Sequence, residues 1–210
     1  MLDEIEIVKP EEIEKRSMEI ITSELGGRVF PEPEFSIIKR CIHTSADFDY
    51  ADNLYFSENS VKIAMDAIKR GASIVTDTKM AFSGINKNRL AEFNGSAFCF
   101  MSDEDVAVKA RQRGVTRASV CMEKGAALSG EVIFAVGNAP TALIRLYEMI
   151  QSGQVKPALI IGVPVGFVNV VESKELIIKA GVPCIVARGR KGGSNITAAI
   201  CNALIYACRE

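Results

Sequence analysis

The sequence is short of several things, and each shortage removes a class of function. Its 210 residues hold one histidine and no tryptophan. One imidazole and no CxxC pair leave too few ligands at close spacing for a zinc site, and no other resident metal or cofactor is expected. The six cysteines are Cys41, Cys99, Cys121, Cys184, Cys201 and Cys208. Most lie inside apolar runs and read as buried free thiols of a reducing cytosol. A net charge of −1 gives no global field to gather nucleic acid or an anionic membrane. No stretch approaches the ~20 uninterrupted apolar residues that span a bilayer. The N-terminus, MLDEIEIVKPEEIEKR, lacks the basic and apolar regions of a signal peptide, so a cytoplasmic protein is expected. Neither the GK[ST] ending of a phosphate-binding loop nor a GxGxxG is present, so a nucleotide reading lacks its motif. No repeat, low-complexity tract or long linker interrupts the chain, which reads as one domain over residues 1–210.

What is present is a large apolar fraction, 48% of the residues, enough for one sizeable core. Runs rich in branched residues read as buried parallel strands at Ile37–Ile42, Ser73–Thr76, Ala97–Phe100, Val132–Val136, Ala158–Val163 and Cys184–Ala187. Helical spacing lies between them. Val61, Ala64, Met65 and Ile68 form one face closed by Gly71. Ser102 is placed to cap a helix running to about Arg113. Pro140 suits a first helical position, and Leu143, Leu146, Tyr147 and Ile150 follow as one face until Gly153. A last helix starts near Ser194. The segment up to about Pro33 reads as a helix packed on this core, with Ile13, Ser17, Ile20, Ile21 and Glu24 on one side. Strand–helix alternation predicts an α/β fold, three layers deep, around a mostly parallel sheet. Ligands of such sheets bind beyond the carboxyl ends of the strands, so the segments after the strands are the ones to search.

Those segments carry the chemistry. The first expected strand runs into His43, Thr44, Ser45 and Asp47. Histidine exchanges a proton near neutrality, and the hydroxyls and carboxylate beside it are placed to orient its ring. Arg40 precedes His43 by three residues, which in a regular strand puts the two on opposite faces. The second strand leads to Asp77 and Thr78; alone, Asp77 reads as the cap of a short helix. The strand ending at Val136 leads to Gly137, Asn138, Ala139 and Pro140, where backbone N–H groups at a helix start can seat an anion. The next loop, Gly162-Val163-Pro164-Val165-Gly166-Phe167-Val168, is too apolar for a solvated turn. It suits the wall of a pocket for a flat apolar ligand, or a surface covered by a second subunit. The strongest anion signal is Arg188-Gly189-Arg190-Lys191-Gly192-Gly193-Ser194, three cations and three glycines entering a helix at its N-terminus.

Five blocks in order, IKRCIHTSADFDY, TDTKM with SGI, VGNAPTAL, GVPVGFVNVVESKE and RGRKGGSNITAAICNAL, resemble the signature segments of precorrin-8X methylmutases and their cobalt-precorrin-8 counterparts. The resemblance runs from about Ser17 to the C-terminus. It implies a flavodoxin-like fold, a homodimer, and an isomerase that moves a methyl group from C-11 to C-12 of a corrinoid ring in vitamin B12 biosynthesis, giving cobyrinic or hydrogenobyrinic acid. It implies His43 as the proton donor and acceptor, and substrate contacts at Ser17 and Arg40. A corrinoid is a flat apolar disc rimmed with carboxylates. Val163–Val168 then face the disc, with Gly166, Phe167 and Val168 at its tip. Thr44, Ser45, Asp77, Thr78, Asn138, Ala139, Pro140, Arg188, Lys191, Gly192, Gly193 and Ser194 are the further expected substrate contacts, with Arg188, Arg190, Lys191 and the helix starts at Asn138 and Ser194 taking the rim. The short chain and its cysteine content lean toward the cobalt-containing substrate. The rival expectations are a corrinoid carrier without catalysis, and a flavin or phosphate binder of flavodoxin type.

Overall fold

Successive residues of the central strands face opposite ways, and each side of the sheet has its own layer of helices. In the computed structural model, which describes residues 6–209, six strands form one sheet. They are β1 (Leu54–Phe56), β2 (Ser73–Thr76), β3 (Ala97–Phe98), β4 (Val132–Val136), β5 (Leu159–Gly162) and β6 (Cys184–Ala187). The spatial order is β1-β6-β5-β4-β2-β3. All neighbours are parallel except β1, which runs antiparallel to β6 at the edge. With β1 set aside, the five parallel strands follow the flavodoxin order, whose switch point lies between β2 and β4.

The helices are α1 (Ile13–Glu24), α2 (Glu34–Ser45), α3 (Tyr50–Asn53), α4 (Ser60–Lys69), α5 (Lys79–Gly84), α6 (Lys87–Ala91), α7 (Glu104–Arg113), α8 (Arg117–Ala126), α9 (Pro140–Gln151), α10 (Val170–Lys179) and α11 (Ser194–Ala207). Ile74, Ile133, Leu159, Ile161 and Ile185 pack with apolar residues of α1, α2, α4 and α11. Val75, Phe134, Ile160, Cys184 and Val186 face the other way, toward residues of α8 and α9 and Ile177 of α10. The three-layer α/β/α reading holds, and five of the six cysteines are buried free thiols.

One expected strand is a helix. Ile37–Ile42 lies in the middle of α2. The buried residues are Ile37, Ile38, Cys41 and Ile42. Their i, i+1, i+4, i+5 spacing is the stripe of a helix lying on a core. The density of branched residues suggested a strand; the polar Lys39 and Arg40 between them and His43 after them supply the helical period. Two consequences follow. His43 does not sit beyond a strand end but in the last turn of α2, which Ala46 closes in the left-handed region at φ 53°. Arg40 and His43, at i and i+3, lie on one side of a helix, which reverses the opposite-face expectation. The edge strand β1, only three residues long, had no periodic signal. The run Ala97–Phe100 pairs only as far as Phe98 and then tightens into a 3-10 turn over Phe100–Ser102. The N-cap of α7 is Asp103 rather than Ser102, and its carboxylate pairs with Lys124 at 2.7 Å.

Candidate active site

Helices α1 and α2 meet beside the end of α2 and leave a cleft of about 230 Å³. Its walls are Ser17, Ile20, Ile21 and Glu24 from α1, Ile42, His43 and Ala46 from the close of α2, and Phe48 beyond it. Of the residues expected to surround the reaction, the structure therefore brings His43 and Ser17 to one wall-to-wall position. The imidazole is exposed. Ser17 donates to Ile13 O at 2.9 Å, which satisfies its hydroxyl within its own helix. Arg40 leans away from the cleft. Its guanidinium lies 4.8 Å above the Tyr206 ring and 3.1 Å from Glu14.

The neighbours expected to orient the His43 ring are engaged elsewhere. Ser45 donates to Cys41 O at 2.7 Å and accepts from Asp47 N–H at 3.3 Å. Asp47 pairs with Lys191 at 2.6 Å, and Thr44 is exposed. Residues one and two places along a helix point to other sides of it, which the strand reading had hidden. Among the described residues, no side chain hydrogen-bonds the His43 ring.

The anion seat after β4 is filled from within the protein. Asp77, which follows β2, is 1% exposed and accepts from the N–H groups of Gly137, Asn138 and Ala139 at 2.8, 2.9 and 2.7 Å. Burial pushes its carboxyl up, and the three backbone donors pull it back. This bridge closes the switch point between β2 and β4. The donors expected to meet a substrate carboxylate at Asn138 and Ala139 are thus already used, and Asp77 itself faces inward. Pro140 starts α9 as expected.

The loops after β2, β5 and β6 converge nearby. Thr78 caps α5 through Ala81 N–H, and its hydroxyl lies 2.7 Å from that of Ser194 at the start of α11. Gly193 N–H donates to Val163 O at 2.8 Å, and Gly166 N–H to Arg190 O at 3.2 Å. Gly192 has φ +156°, and a Cβ there would stand 2.1 Å from Val163 O, so no other residue fits. Val165, Phe167 and Val168 remain 48%, 79% and 79% exposed. Large apolar groups left exposed together are characteristic of surfaces that meet a ligand or a second protein.

The three cations of the glycine turn differ in their surroundings. Arg188 lies over the Tyr55 ring at 4.9 Å and 3.6 Å from Glu175. Arg190 lies over the Phe167 ring at 5.4 Å. Lys191 reaches both Asp47 and Asp49 at 2.6 Å, and these hydrogen bonds raise its ammonium above the usual lysine range. The turn is thereby joined to the segment that follows His43, which places the basic loop and the imidazole on the same side of the fold. Asp49 had drawn no attention in the sequence, nor had the burial of Lys174. A signal for the second existed: Val170, Ser173, Lys174 and Ile177 form one helical stripe, so the lysine falls on the buried side of α10.

The fold that carries this cleft and turn, five parallel strands of flavodoxin order with an antiparallel edge strand, is shared with solved proteins. The family profile for precorrin-8X methylmutase matches residues 12–207. The cobalt-precorrin-8 methylmutase of Salmonella typhimurium is 44% identical over 97% of this chain and 98% of its own length. The precorrin-8X methylmutase of Pseudomonas aeruginosa is 38% identical, over 91% of this chain and 93% of its own. The solved precorrin-8X methylmutase of Thermus thermophilus superposes with a TM-score of 0.85 at 38% identity, covering 94% of this chain and 98% of that one. The chain belongs to the precorrin-8X methylmutase family, a family of isomerases.

Proposed function

We propose that this protein is a cobalt-precorrin-8 methylmutase, a cytoplasmic, single-domain homodimer that moves a methyl group from C-11 to C-12 of a corrinoid to give cobyrinic acid. The observation that carries the reading is the meeting of His43 and Ser17 on one cleft, in a chain matched to the family over nearly its whole length. The rearrangement needs no oxidant and no external nucleophile. The methyl–C-11 bond breaks as the methyl–C-12 bond forms, and the ring double bonds move to compensate. His43 lends a proton to the conjugated ring and recovers it afterwards, so composition is unchanged. Protonation draws electron density from the π-system and lowers the barrier to migration; such assistance is worth roughly 10²–10⁴-fold.

A cleft of about 230 Å³ is smaller than the ~300–1,000 Å³ that encloses a drug-sized ligand, so it takes one edge of a macrocycle. Ser17 borders that edge, and Arg40 reaches it by leaving Glu14 and the Tyr206 ring, with Thr44 and Ser45 next to the imidazole in the chain. The exposed Val165, Phe167 and Val168 supply further apolar cover, together with a second subunit. Arg188, Lys191, Gly192, Gly193, Ser194 and Thr78 take rim carboxylates. Asp77, with Asn138, Ala139 and Pro140, holds the floor beneath them. The test is to incubate the purified protein with cobalt-precorrin-8 and, separately, with the metal-free precorrin, and to identify the products. Conversion of the cobalt form is expected to be faster. Preference for the metal-free form reassigns the substrate, and tight binding without conversion of either makes the protein a carrier.

A further inference from the structure

Lysine is almost never fully buried unless it is paired. Lys174 of α10 is 0% exposed, and among the described residues no carboxylate reaches it. Its Nζ donates instead to Gly189 O and Lys191 O, each at 2.8 Å. Burial pulls this ammonium down to about 8, so it keeps its proton at neutral pH. An apolar chain of the same length would fill the space without the desolvation of a cation, so packing alone gives no reason for a lysine here.

What the lysine does is visible in the turn above it. Gly189 O and Lys191 O are taken by Lys174, and Arg190 O by Gly166 N–H. Three successive carbonyls are therefore satisfied inside the protein. A carbonyl oxygen aimed at a carboxylate repels it, so a turn meant for anions needs these dipoles held inward. The same residue places a positive charge directly beneath the turn, in a medium that screens it weakly.

We infer that Lys174 is a positioning residue for corrinoid binding: it holds the Arg188–Gly193 turn with its carbonyls inward and adds charge beneath it, without touching substrate. The inference rests on the methylmutase reading of the site.

The test compares Lys174→Met, Lys174→Gln and Lys174→Arg with the unaltered enzyme, by turnover at saturating substrate and by titration with cobyrinic acid followed by absorbance. The expected result is at least a tenfold loss of product affinity in Lys174→Met, with kcat within threefold. Lys174→Arg, which keeps the charge and donors, recovers most of the affinity. If Lys174→Met does not fold, Lys174→Gln, with two neutral donors, carries the same comparison and is expected to lose affinity by a smaller factor. Unchanged affinity in a folded variant, or a loss of kcat alone, overturns the inference. His43→Ala measured alongside keeps the two readings apart: if that variant turns over normally, the site reading fails whatever Lys174 does.

Discussion

The ammonium of Lys191 and the carboxylate of Asp47 lie 2.6 Å apart, and this pair joins the glycine turn after β6 to the segment that leaves the His43 helix. The hydrogen bond from Lys191 holds the Asp47 carboxyl below its usual range. On the proposed reading, a substrate carboxylate entering the turn competes with Asp47 and Asp49 for one cation. Replacing Lys191 with Ala is expected to raise KM by roughly tenfold and to leave kcat within threefold, as one charge-assisted hydrogen bond to the substrate is lost. Steady-state kinetics at two salt concentrations checks this. A change in kcat with KM unmoved would exclude Lys191 from binding.

His43→Ala separates chemistry from affinity. Turnover should drop by about 10²–10⁴-fold, the range of a lost general acid. Product affinity should stay within threefold, because the imidazole is one exposed group on the cleft wall. Isomerisation is followed by the absorbance change of the ring. Undiminished turnover would remove His43 from the mechanism.

Asp77 is a structural acceptor, and its loss should be read in stability. Asp77→Ala leaves the N–H groups of Gly137, Asn138 and Ala139 without their acceptor. A buried donor left unpaired costs about 1–3 kcal/mol; Gly137 is buried while Asn138 and Ala139 are partly open to water, so a net loss of roughly 3 kcal/mol is expected in urea unfolding. Asp77→Asn keeps one acceptor oxygen and should lose less. Equal stability of all three proteins would show that the bridge contributes nothing.

Alkaline pH should unfold the protein through its thiols. Burial pushes Cys121 and Cys201 up to about 12 and Cys208 up to about 11. Thiols in an unfolded chain titrate near ~8.5. A raised folded value means that the folded state keeps protons the unfolded state has released. The stabilisation is therefore complete below pH ~8.5 and is lost as pH rises toward 11–12. Melting temperature should fall steeply above pH 9, and less steeply in Cys201→Ala. A flat profile between pH 9 and 11 would contradict the burial of these groups.

Much of this molecule is legible before any coordinates. Strands β2, β4 and β6 coincide with their apolar runs because strands buried on both faces carry unbroken apolar sequence. Helices α4, α9 and α11 announce themselves by period, by Pro140 and by Ser194. The error at α2 arose where branched residues and helical spacing compete, and tertiary burial decided it. Finding β1 required knowing that Leu54, Tyr55 and Phe56 have β6 as a neighbour, which no local pattern records. At the site, the residue types were readable but their partners were not. Asp77 and Asn138 are far apart in the chain, and nothing local says that the first uses up the donors of the second. Lys174 stands among Glu172, Ser173 and Glu175 and looks like part of a solvated face until the stripe Val170, Lys174, Ile177 is traced.

The Asp77 bridge also bears on what this scaffold can become. In sheets of this strand order, the seam between β2 and β4 is the customary berth for a nucleotide phosphate. Here the chain has plugged that berth with its own carboxylate. An attempt to turn the protein into a flavin carrier would have to begin by pulling that plug.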